Sequence, residues 1–323
     1  MAITFAAVDL GGTNITGALA SSDGRILCEK VVQTLSNEGP PAVLSRIAEL
    51  VCSLSAQAGI QPEALGMGAP GWIDLNAGIT RFFPNFPTNW RDVPVRAILE
   101  PKIGCPVHIL NDVRAATLGE LVFGHGRNVS TMAFFALGTG VGGGIVVNGK
   151  LRLGPLGAAG ELGHQTVLPE GPRCGCGNRG CIEALASGPA IAAEGVRLVL
   201  AGQAPRLYDL VGGDISKITP REMAAAAEAG DEAVREAIVR AAQYLGIGVA
   251  NIVTAIHPDL IVFGGRVAQI GPLLFDTVEA TMRARVRMFP PDNVQIKPSM
   301  LGDKAGILGG IALAMSRGRL EGS

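Results

Sequence analysis

The sequence predicts an α/β protein, because apolar strand-like segments alternate with amphipathic helical segments along the chain. Glycine turns directly follow several of these strands, and the 45 glycines gather there rather than in a flexible linker. With 48% hydrophobic and 17% charged residues, the 323-residue chain can form a sizeable core, so disorder is not expected. The length allows two domains or one large α/β unit.

The first strand-like segment, 5–10, carries an acid near its end and runs into a glycine turn. The motif is Asp9-Leu10-Gly11-Gly12-Thr13-Asn14, and the following ITGALA has the residues of a second strand. Glycines let the backbone approach a phosphate, exposed N–H groups of such turns attract anions, and an acid can hold Mg²⁺ through waters. The alternative is an ordinary hairpin turn with a capping aspartate.

A second copy of this pattern begins at Thr131, where TMAFFAL runs into GTGVGGG and then IVVNGKL. The two hairpins predict two related halves that face one cleft. Gly138, Gly140 and Gly143 also satisfy the dinucleotide motif G-x-G-x-x-G, which must open a helix. Here a β segment with an Asn148-Gly149 hairpin turn follows, so a second phosphate turn is favoured over a nicotinamide dehydrogenase.

The remaining periodic segments complete the alternation. Helical spacing is seen over 41–57, 113–123, 231–256 and 304–316, and strand-like runs over 105–112 and 259–265.

Asn111 and Asp112 end a predicted strand beside a predicted helix start. A carboxylate in this position can take the proton of a substrate hydroxyl, which contributes about 10²–10⁴ in rate, while the amide orients the hydroxyl. Phosphoryl transfer otherwise depends mainly on positioning and charge stabilisation. Asp112 is also a good helix N-cap, and that structural role is the alternative.

Four residues within an 18-residue span have the donor types of a zinc site: His164, Cys174, Cys176 and Cys181. Three thiolates and one imidazole fill a tetrahedral Zn²⁺, so the metal has no open position for chemistry. Two carboxylates, Glu161 and Glu183, flank the ligands, and we expect the metal to hold them in a substrate pocket. The alternatives are reduced free thiols or, in an oxidising compartment, a disulfide.

Charge and hydropathy exclude several classes of protein. The net charge of −1 gives no general attraction to nucleic acid or to an anionic membrane. The N-terminal residues lack the positive region of a signal peptide, and no apolar run is long enough to span a bilayer. A cytoplasmic protein is expected.

These motifs closely resemble those of the ROK family of sugar kinases and sugar-responsive repressors, over nearly the whole chain. VDLGGTN and LGTGVGGG resemble its two phosphate motifs, and ELGH with CGCGNRGCIE resembles its zinc signature. GAPGWID (68–74) and PNFPTNW (84–90) are similar to loops of its glucokinases. The resemblance implies an actin-like (hexokinase or RNase H-like) fold of two domains with a central cleft, divided as 1–112 plus 304–323 and 113–303.

The resemblance also implies roles for individual residues. Asp112 corresponds to the catalytic base. The sugar-contacting positions are Asn111, Asp112, Glu161, His164 and Glu183. Contacts to Mg-ATP correspond to Asp9, Gly11, Gly12, Thr13, Asn14, Thr139, Gly140, Gly264 and Gly265. The structural Zn²⁺ ligands are His164, Cys174, Cys176 and Cys181.

The expected function is an ATP-dependent glucokinase acting on the 6-hydroxyl of glucose, and the family implies a homodimer. A kinase for N-acetylmannosamine, N-acetylglucosamine, mannose or fructose is the alternative in the same class, and polyphosphate could replace ATP. A sugar-sensing protein without catalysis is a further alternative. A DNA-binding repressor is not expected, because Asp9 lies too near the start for a preceding helix-turn-helix domain.

Overall fold

The computed structural model describes residues 3–83, 86–88 and 90–320. Contacts divide the chain into two compact units. The first comprises Met1–Val129, Gly144–Gly160 and Ser299–Ser323, and the second comprises Ser130–Gly143 and Glu161–Pro298. The domain division implied by the resemblance, 1–112 plus 304–323 and 113–303, stays a prediction.

The strands, in chain order, are β1 (Thr4–Leu10), β2 (Asn14–Ser21), β3 (Ile26–Gln33), β4 (Leu65–Ala69), β5 (Trp72–Asp74), β6 (Ile79–Phe82), β7 (Arg91–Val93), β8 (Val107–Asn111), β9 (Met132–Leu137), β10 (Val141–Val147), β11 (Lys150–Arg152), β12 (Leu260–Gly264) and β13 (Gln295–Pro298). The α-helices are α1 (Pro40–Ala58), α2 (Val95–Ile103), α3 (Asp112–Phe123), α4 (Ile182–Ala186), α5 (Gly188–Leu200), α6 (Pro205–Leu210), α7 (Pro220–Glu228), α8 (Glu232–Ile256), α9 (Pro272–Arg285) and α10 (Ala305–Met315).

The first unit is built on a five-stranded sheet with the order β3-β2-β1-β4-β8. β1 is antiparallel to β2 and parallel to β4, and β4 is parallel to β8. β1, β4 and β8 are almost fully buried, which explains their continuous apolar runs. Because parallel strands share a carboxyl edge, this sheet brings the ends of β1 and β8 to the same side. A small sheet, β5-β6-β7, adds to this unit.

α10 packs closely on the first sheet through glycines. A Cβ at Gly66 would lie 1.9 Å from the carbonyl oxygen of Gly310, and one at Gly309 would lie 1.8 Å from that of Ala115. These glycines therefore let α10 approach both the sheet and α3 at backbone distance, where no larger residue fits.

The second five-stranded sheet has the order β11-β10-β9-β12-β13. β9 is parallel to β12 and β12 to β13, while β10 and β11 form an antiparallel hairpin. When the strands of each sheet are numbered 1 to 5 along the chain, both sheets have the order 3-2-1-4-5. This shared order agrees with the two related halves that the repeated glycine hairpins predict. The sequence after Gly138 continues as β10, so the absence of a helix there excludes the dinucleotide fingerprint.

α8 is long and apolar enough to cross a membrane by length and composition alone. Core helices pass the same test, and 61% of its most apolar window is buried. Among the described residues no other helix meets this criterion. The burial of Ile238, Leu245 and Val249 gives α8 the pattern of a core helix.

The PNFPTNW segment is described only in part, since residues 84, 85 and 89 lie outside the described residues. Phe86 and Trp90 are buried with Phe83, and the rings of Phe83 and Trp90 stack with centroids 4.7 Å apart. The described part of this segment therefore contributes to the core of the first unit.

Candidate functional site

The carboxyl edge of the first sheet brings two acids together. Asp9 pairs in register with Gly68, and Gly68 with Leu110, two residues before Asp112. The carboxylate of Asp9 is confined by glycines: a Cβ at Gly306 would lie 2.8 Å from its Oδ2. Burial and, secondarily, the negative charge of Asp112 raise the pKa of Asp9 to about 6. Such an acid gains from a nearby cation.

Asn111, rather than Asp112, is the N-cap of α3, so the alternative of Asp112 as the cap was wrong. The Oδ1 atom of Asn111 accepts from the backbone N–H groups of Val113 and Arg114 at 3.1 and 3.3 Å. Asp112 is the first helical residue, and its Oδ1 accepts from Val113 N at 2.8 Å. The amide of Asn111 also donates to Gly71 O at 3.2 Å, which fixes its orientation. Asn111 therefore caps the helix, and the carboxylate of Asp112 lies at its first position.

The first glycine turn is exposed and closed by its own backbone. Gly11 N donates to Asn14 O at 2.9 Å, and the Thr34 hydroxyl donates to Gly11 O at 2.7 Å. A Cβ at Gly12 would meet no atom within 4 Å, so Gly12 faces open space. Gly12, Thr13 and Asn14 are solvent-exposed, as a phosphate-binding turn requires.

The second glycine turn is held by a carboxylate that comes from another element. Val141 N donates to Oε2 of Glu183 at 3.0 Å, and a Cβ at Gly140 would lie 2.4 Å from the same oxygen. Thr139 is exposed at the tip of this turn. Sequence reasoning assigned Glu183 to the sugar and missed this contact, because it joins residues 42 positions apart.

Gly264 and Gly265 lie at the same sheet edge as the second turn, since Gly264 is in register with Ala136. Gly265 has φ of 88°, and a Cβ there would lie 2.3 Å from Leu137 O. Only glycine satisfies both the positive φ and this close approach. The second unit therefore places two of its predicted nucleotide segments side by side.

The four predicted metal ligands converge. The donor atoms of His164, Cys174, Cys176 and Cys181 all lie within 4.8 Å of one another. The sulfurs of Cys176 and Cys181 are 3.8 Å apart, and Cys174 Sγ is 3.6 Å from His164 Nδ1. Zinc bond lengths in a tetrahedron give separations of about 3.8 Å for two sulfurs and about 3.6 Å for sulfur and nitrogen. The donor set and its spacing therefore fit Zn²⁺.

The four predicted metal ligands, called the metal cluster from here on, border the two predicted sugar-contacting carboxylates. The Nδ1 atom of His164 faces the cysteines, while its Nε2 lies 3.9 Å from Glu161 Oε2. On the other side, Cys174 Sγ is 3.6 Å from Glu183 Oε1. Without metal, burial raises the pKa of the Cys181 thiol to about 12. A carboxylate beside the outer nitrogen of a metal-bound histidine is the usual support of such a ligand.

One buried charged residue near Asp112 was not predicted from the sequence. Arg114 is 3% exposed, and its guanidinium donates to the carbonyl oxygens of Ala158 and Ala159. A cavity of about 1860 Å³ also lies in the first unit, and it is lined by Trp72, Leu156 and Arg127 among others. Its lining includes none of the predicted site residues.

A sequence model of the ROK family matches residues 5–317. The glucokinase of Thermotoga maritima is 36% identical over 96% of each chain, and that of Halalkalibacterium halodurans is 35% identical over 95% of this chain and 93% of its own. The xylose repressor of Caldicellulosiruptor bescii is 32% identical over 96% of this chain but only 77% of the repressor.

Solved structures agree with the sequence comparison. A ROK family glucokinase from Streptomyces griseus, in complex with glucose and AMPPNP, has a TM-score of 0.82 and 33% identity, covering 97% of this chain and 99% of its own. A ROK hexokinase from Thermus thermophilus has a TM-score of 0.80 and 34% identity, covering 98% and 99%. The likeness confirms the predicted α/β class and the actin-like fold that the family resemblance implies.

Proposed function

The chain belongs to the ROK family, and on that premise we propose that it is an ATP-dependent glucokinase that phosphorylates the 6-hydroxyl of glucose. The observation that carries the proposal is the pair of acids at one sheet edge, where the charge of Asp112 helps to raise the pKa of Asp9. Phosphoryl transfer needs a base for the hydroxyl and positive charge beside the phosphates, and these two carboxylates suit those two tasks.

Asp112 accepts the proton of the sugar hydroxyl as the oxygen forms its bond to the γ-phosphorus. The bond from that phosphorus to the β-phosphate oxygen breaks, and ADP leaves with its electron pair. Asp9 favours a cation near the phosphates, since ionisation of its buried carboxyl is unfavourable without one. Mg²⁺, when bound with ATP, neutralises the charge that develops on the phosphates.

We assign the sugar contacts to Asn111 and Asp112 in the first unit and to Glu161, His164 and Glu183 in the second. The two glycine turns, whose tips are exposed, suit phosphate oxygens, and Gly264 with Gly265 suits the adenosine side. The predicted phosphate-contacting residues are Gly11, Gly12, Thr13, Asn14, Thr139 and Gly140.

We further propose that His164, Cys174, Cys176 and Cys181 hold a structural Zn²⁺. Their separations fit the ion, and four protein ligands leave no position for a reacting group. The metal would hold the segment that carries Glu161 and Glu183. A cytoplasmic homodimer is the remaining part of the proposal, and light scattering of the purified protein tests the dimer.

The deciding experiment is a coupled ADP-release assay of the full chain with Mg-ATP and a panel of glucose, mannose, fructose, N-acetylglucosamine and N-acetylmannosamine. We expect the highest kcat/KM with glucose, and polyphosphate in place of ATP tests the donor. Sugar binding by calorimetry without turnover on any hexose would contradict the proposal and favour a sugar-sensing protein.

A further inference from the structure

The segment 153–160 connects β11 to Glu161, and it has no helix or strand of its own. Gly154, Gly157 and Gly160 all have positive φ, at 67°, 69° and 95°. A segment rich in glycine has many accessible backbone conformations when unfolded. Its folded conformation therefore depends on contacts with residues outside the segment. This segment is called the 153–160 loop.

Arg114 supplies one of these contacts from the start of α3. Its Nε donates to Ala159 O at 2.9 Å and its Nη2 to Ala158 O at 2.8 Å. The side chain is almost completely buried, and burial of a guanidinium is unfavourable unless its donors are satisfied. The backbone N–H of Arg114 also donates to Asn111 Oδ1 at 3.3 Å, so this one residue contacts both the helix cap and the loop.

Trp72 supplies a second contact from the segment after β4. Its indole Nε1 donates to Leu156 O at 3.0 Å, and the residue is 44% exposed. The preceding residue, Gly71, accepts from the amide of Asn111 at 3.2 Å. The contacts therefore run in a closed ring from Asn111 to Gly71, from Trp72 to the 153–160 loop, and from the loop through Arg114 back to Asn111.

We propose that Arg114 and Trp72 are specificity-determining positioning residues, which fix the 153–160 loop relative to Asn111 and Asp112 and thereby set which hexose is phosphorylated. This inference rests on the proposed function. Neither residue needs to touch the sugar, because the loop leads directly into Glu161. A shift of about 1 Å in a positioned group can change a rate by 10²-fold. Loss of the hydrogen bonds that hold the 153–160 loop is therefore enough to change the rate of phosphoryl transfer to a given hexose.

The test compares Trp72→Phe and Arg114→Lys with the unaltered chain. Phenylalanine keeps an aromatic ring but loses the indole donor. Lysine keeps the charge but lacks the planar guanidinium fork whose Nε and Nη2 contact the two carbonyl oxygens. We expect each variant to raise the KM for glucose about tenfold and to lower the ratio of kcat/KM for glucose over N-acetylglucosamine or mannose by at least threefold, with the KM for ATP unchanged.

Arg96→Met is the matched control, because the Arg96 guanidinium also binds backbone carbonyl groups in the first unit, at Leu75, Asn76 and Val107. It should lower the thermal midpoint and leave the hexose ratio unchanged. The double variant Trp72→Phe/Arg114→Lys should show less than the sum of the two single effects on the ratio, since both act on one loop.

An unchanged hexose ratio in Trp72→Phe and Arg114→Lys, with the unaltered chain active, would overturn this inference alone. An equal loss of kcat/KM for every hexose would also overturn it, because that indicates general destabilisation. If the unaltered chain phosphorylates no hexose, the proposed function fails as well. If Arg114→Lys does not fold, Trp72→Phe carries the test, since Trp72 is half-exposed.

Discussion

The two glycine turns share one architecture but take their carboxylates from different sources. Each follows the first strand of a five-stranded sheet of the same order, and each leads into the second strand. Beside the first turn the acid is Asp9, which belongs to β1 itself. Beside the second turn the acid is Glu183, which comes from α4 and accepts from Val141 N.

The surroundings of Asp9 and Glu183 suit the two carboxylates to different tasks. Asp9 lies near another negative charge, and the structure raises its pKa, so its ionised form calls for a cation. Glu183 instead accepts from a backbone N–H and borders Cys174, so it fixes the second turn relative to the metal cluster. Under the proposed function, the same glycine turn borders the reacting centre in the first unit and a structural support in the second.

Loss of the base should produce the largest effect. Asp112→Asn should lower kcat by about 10²–10⁴, because general-base assistance disappears, while calorimetry shows glucose binding close to that of the unaltered chain. The substitution also removes the charge that helps to raise the pKa of Asp9. A normal kcat in this variant would show that Asp112 is not the base, and the first turn would then no longer differ from the second by bordering a reacting centre.

Asp9→Asn should alter stability in a pH-dependent way. The pKa of Asp9 is about 6 in the folded chain and 3.8 as the reference, so the folded state binds the proton more tightly. The free energy of unfolding of the unaltered chain therefore falls as pH rises from about 4 to 6, by at most about 3 kcal/mol. Asp9→Asn removes the part of this decrease in the free energy of unfolding that comes from ionisation of Asp9.

Urea unfolding at pH 4, 5, 6, 7 and 8 measures the effect. The variant should match the unaltered chain near pH 4 and exceed its stability above pH 6, where Asp9 is ionised. In an Asp112→Asn background the difference should shrink, because the secondary cause of the raised pKa is absent. A difference that does not vary with pH would show that Asp9 carries no such shift.

The metal cluster should matter for sugar affinity rather than for proton transfer. Cys181→Ser should abolish zinc binding and weaken glucose binding by about 10- to 100-fold, as Glu161 and Glu183 lose their support. Elemental analysis and calorimetry measure the two effects. Cys52→Ser is the control, since Cys52 lies outside the cluster. Well under one zinc per chain with full glucose affinity would refute the scaffold role.

The smallest effect should be the one on nucleotide affinity at the second turn. Glu183→Ala leaves Val141 N without its carboxylate and should raise the KM for ATP about tenfold, the scale of one lost charge-assisted hydrogen bond. Glu183→Gln keeps an oxygen acceptor and should recover most of the ATP affinity. Equal KM values for ATP in both variants and the unaltered chain would mean that Glu183 does not hold this turn for the nucleotide.

Local signals predicted most of the architecture. The apolar spacing over 41–57 predicts α1, and the β segment after Gly138 argues against a dinucleotide motif from the sequence alone. The ligand spacing predicted the convergence of the four donors. Such patterns act within a few turns or strands, which is why residue spacing expresses them.

Contacts between distant segments were not predictable in the same way. The N-cap could be either Asn111 or Asp112 from sequence, because both types cap well, and only the backbone angles distinguish them. Arg114 and Trp72 reach carbonyl groups 44 to 84 positions away, and backbone carbonyls carry no sequence signal. The contact of Glu183 with Val141 is unpredictable for a similar reason, because the backbone N–H that donates to it also carries no sequence signal.

The glycine-mediated packing of α10 has a consequence for synthesis on the ribosome. β1 and β4 emerge early, yet the helix that covers them at Gly66 and contacts α3 is translated roughly 200 residues after β8. At about 5–20 residues per second, the first sheet remains without its covering helix α10 for on the order of 10–40 s. The second unit, which carries the four predicted metal ligands, is fully translated before then, so a nascent chain should complete the proposed zinc-binding unit ahead of the unit that carries Asp9 and Asp112.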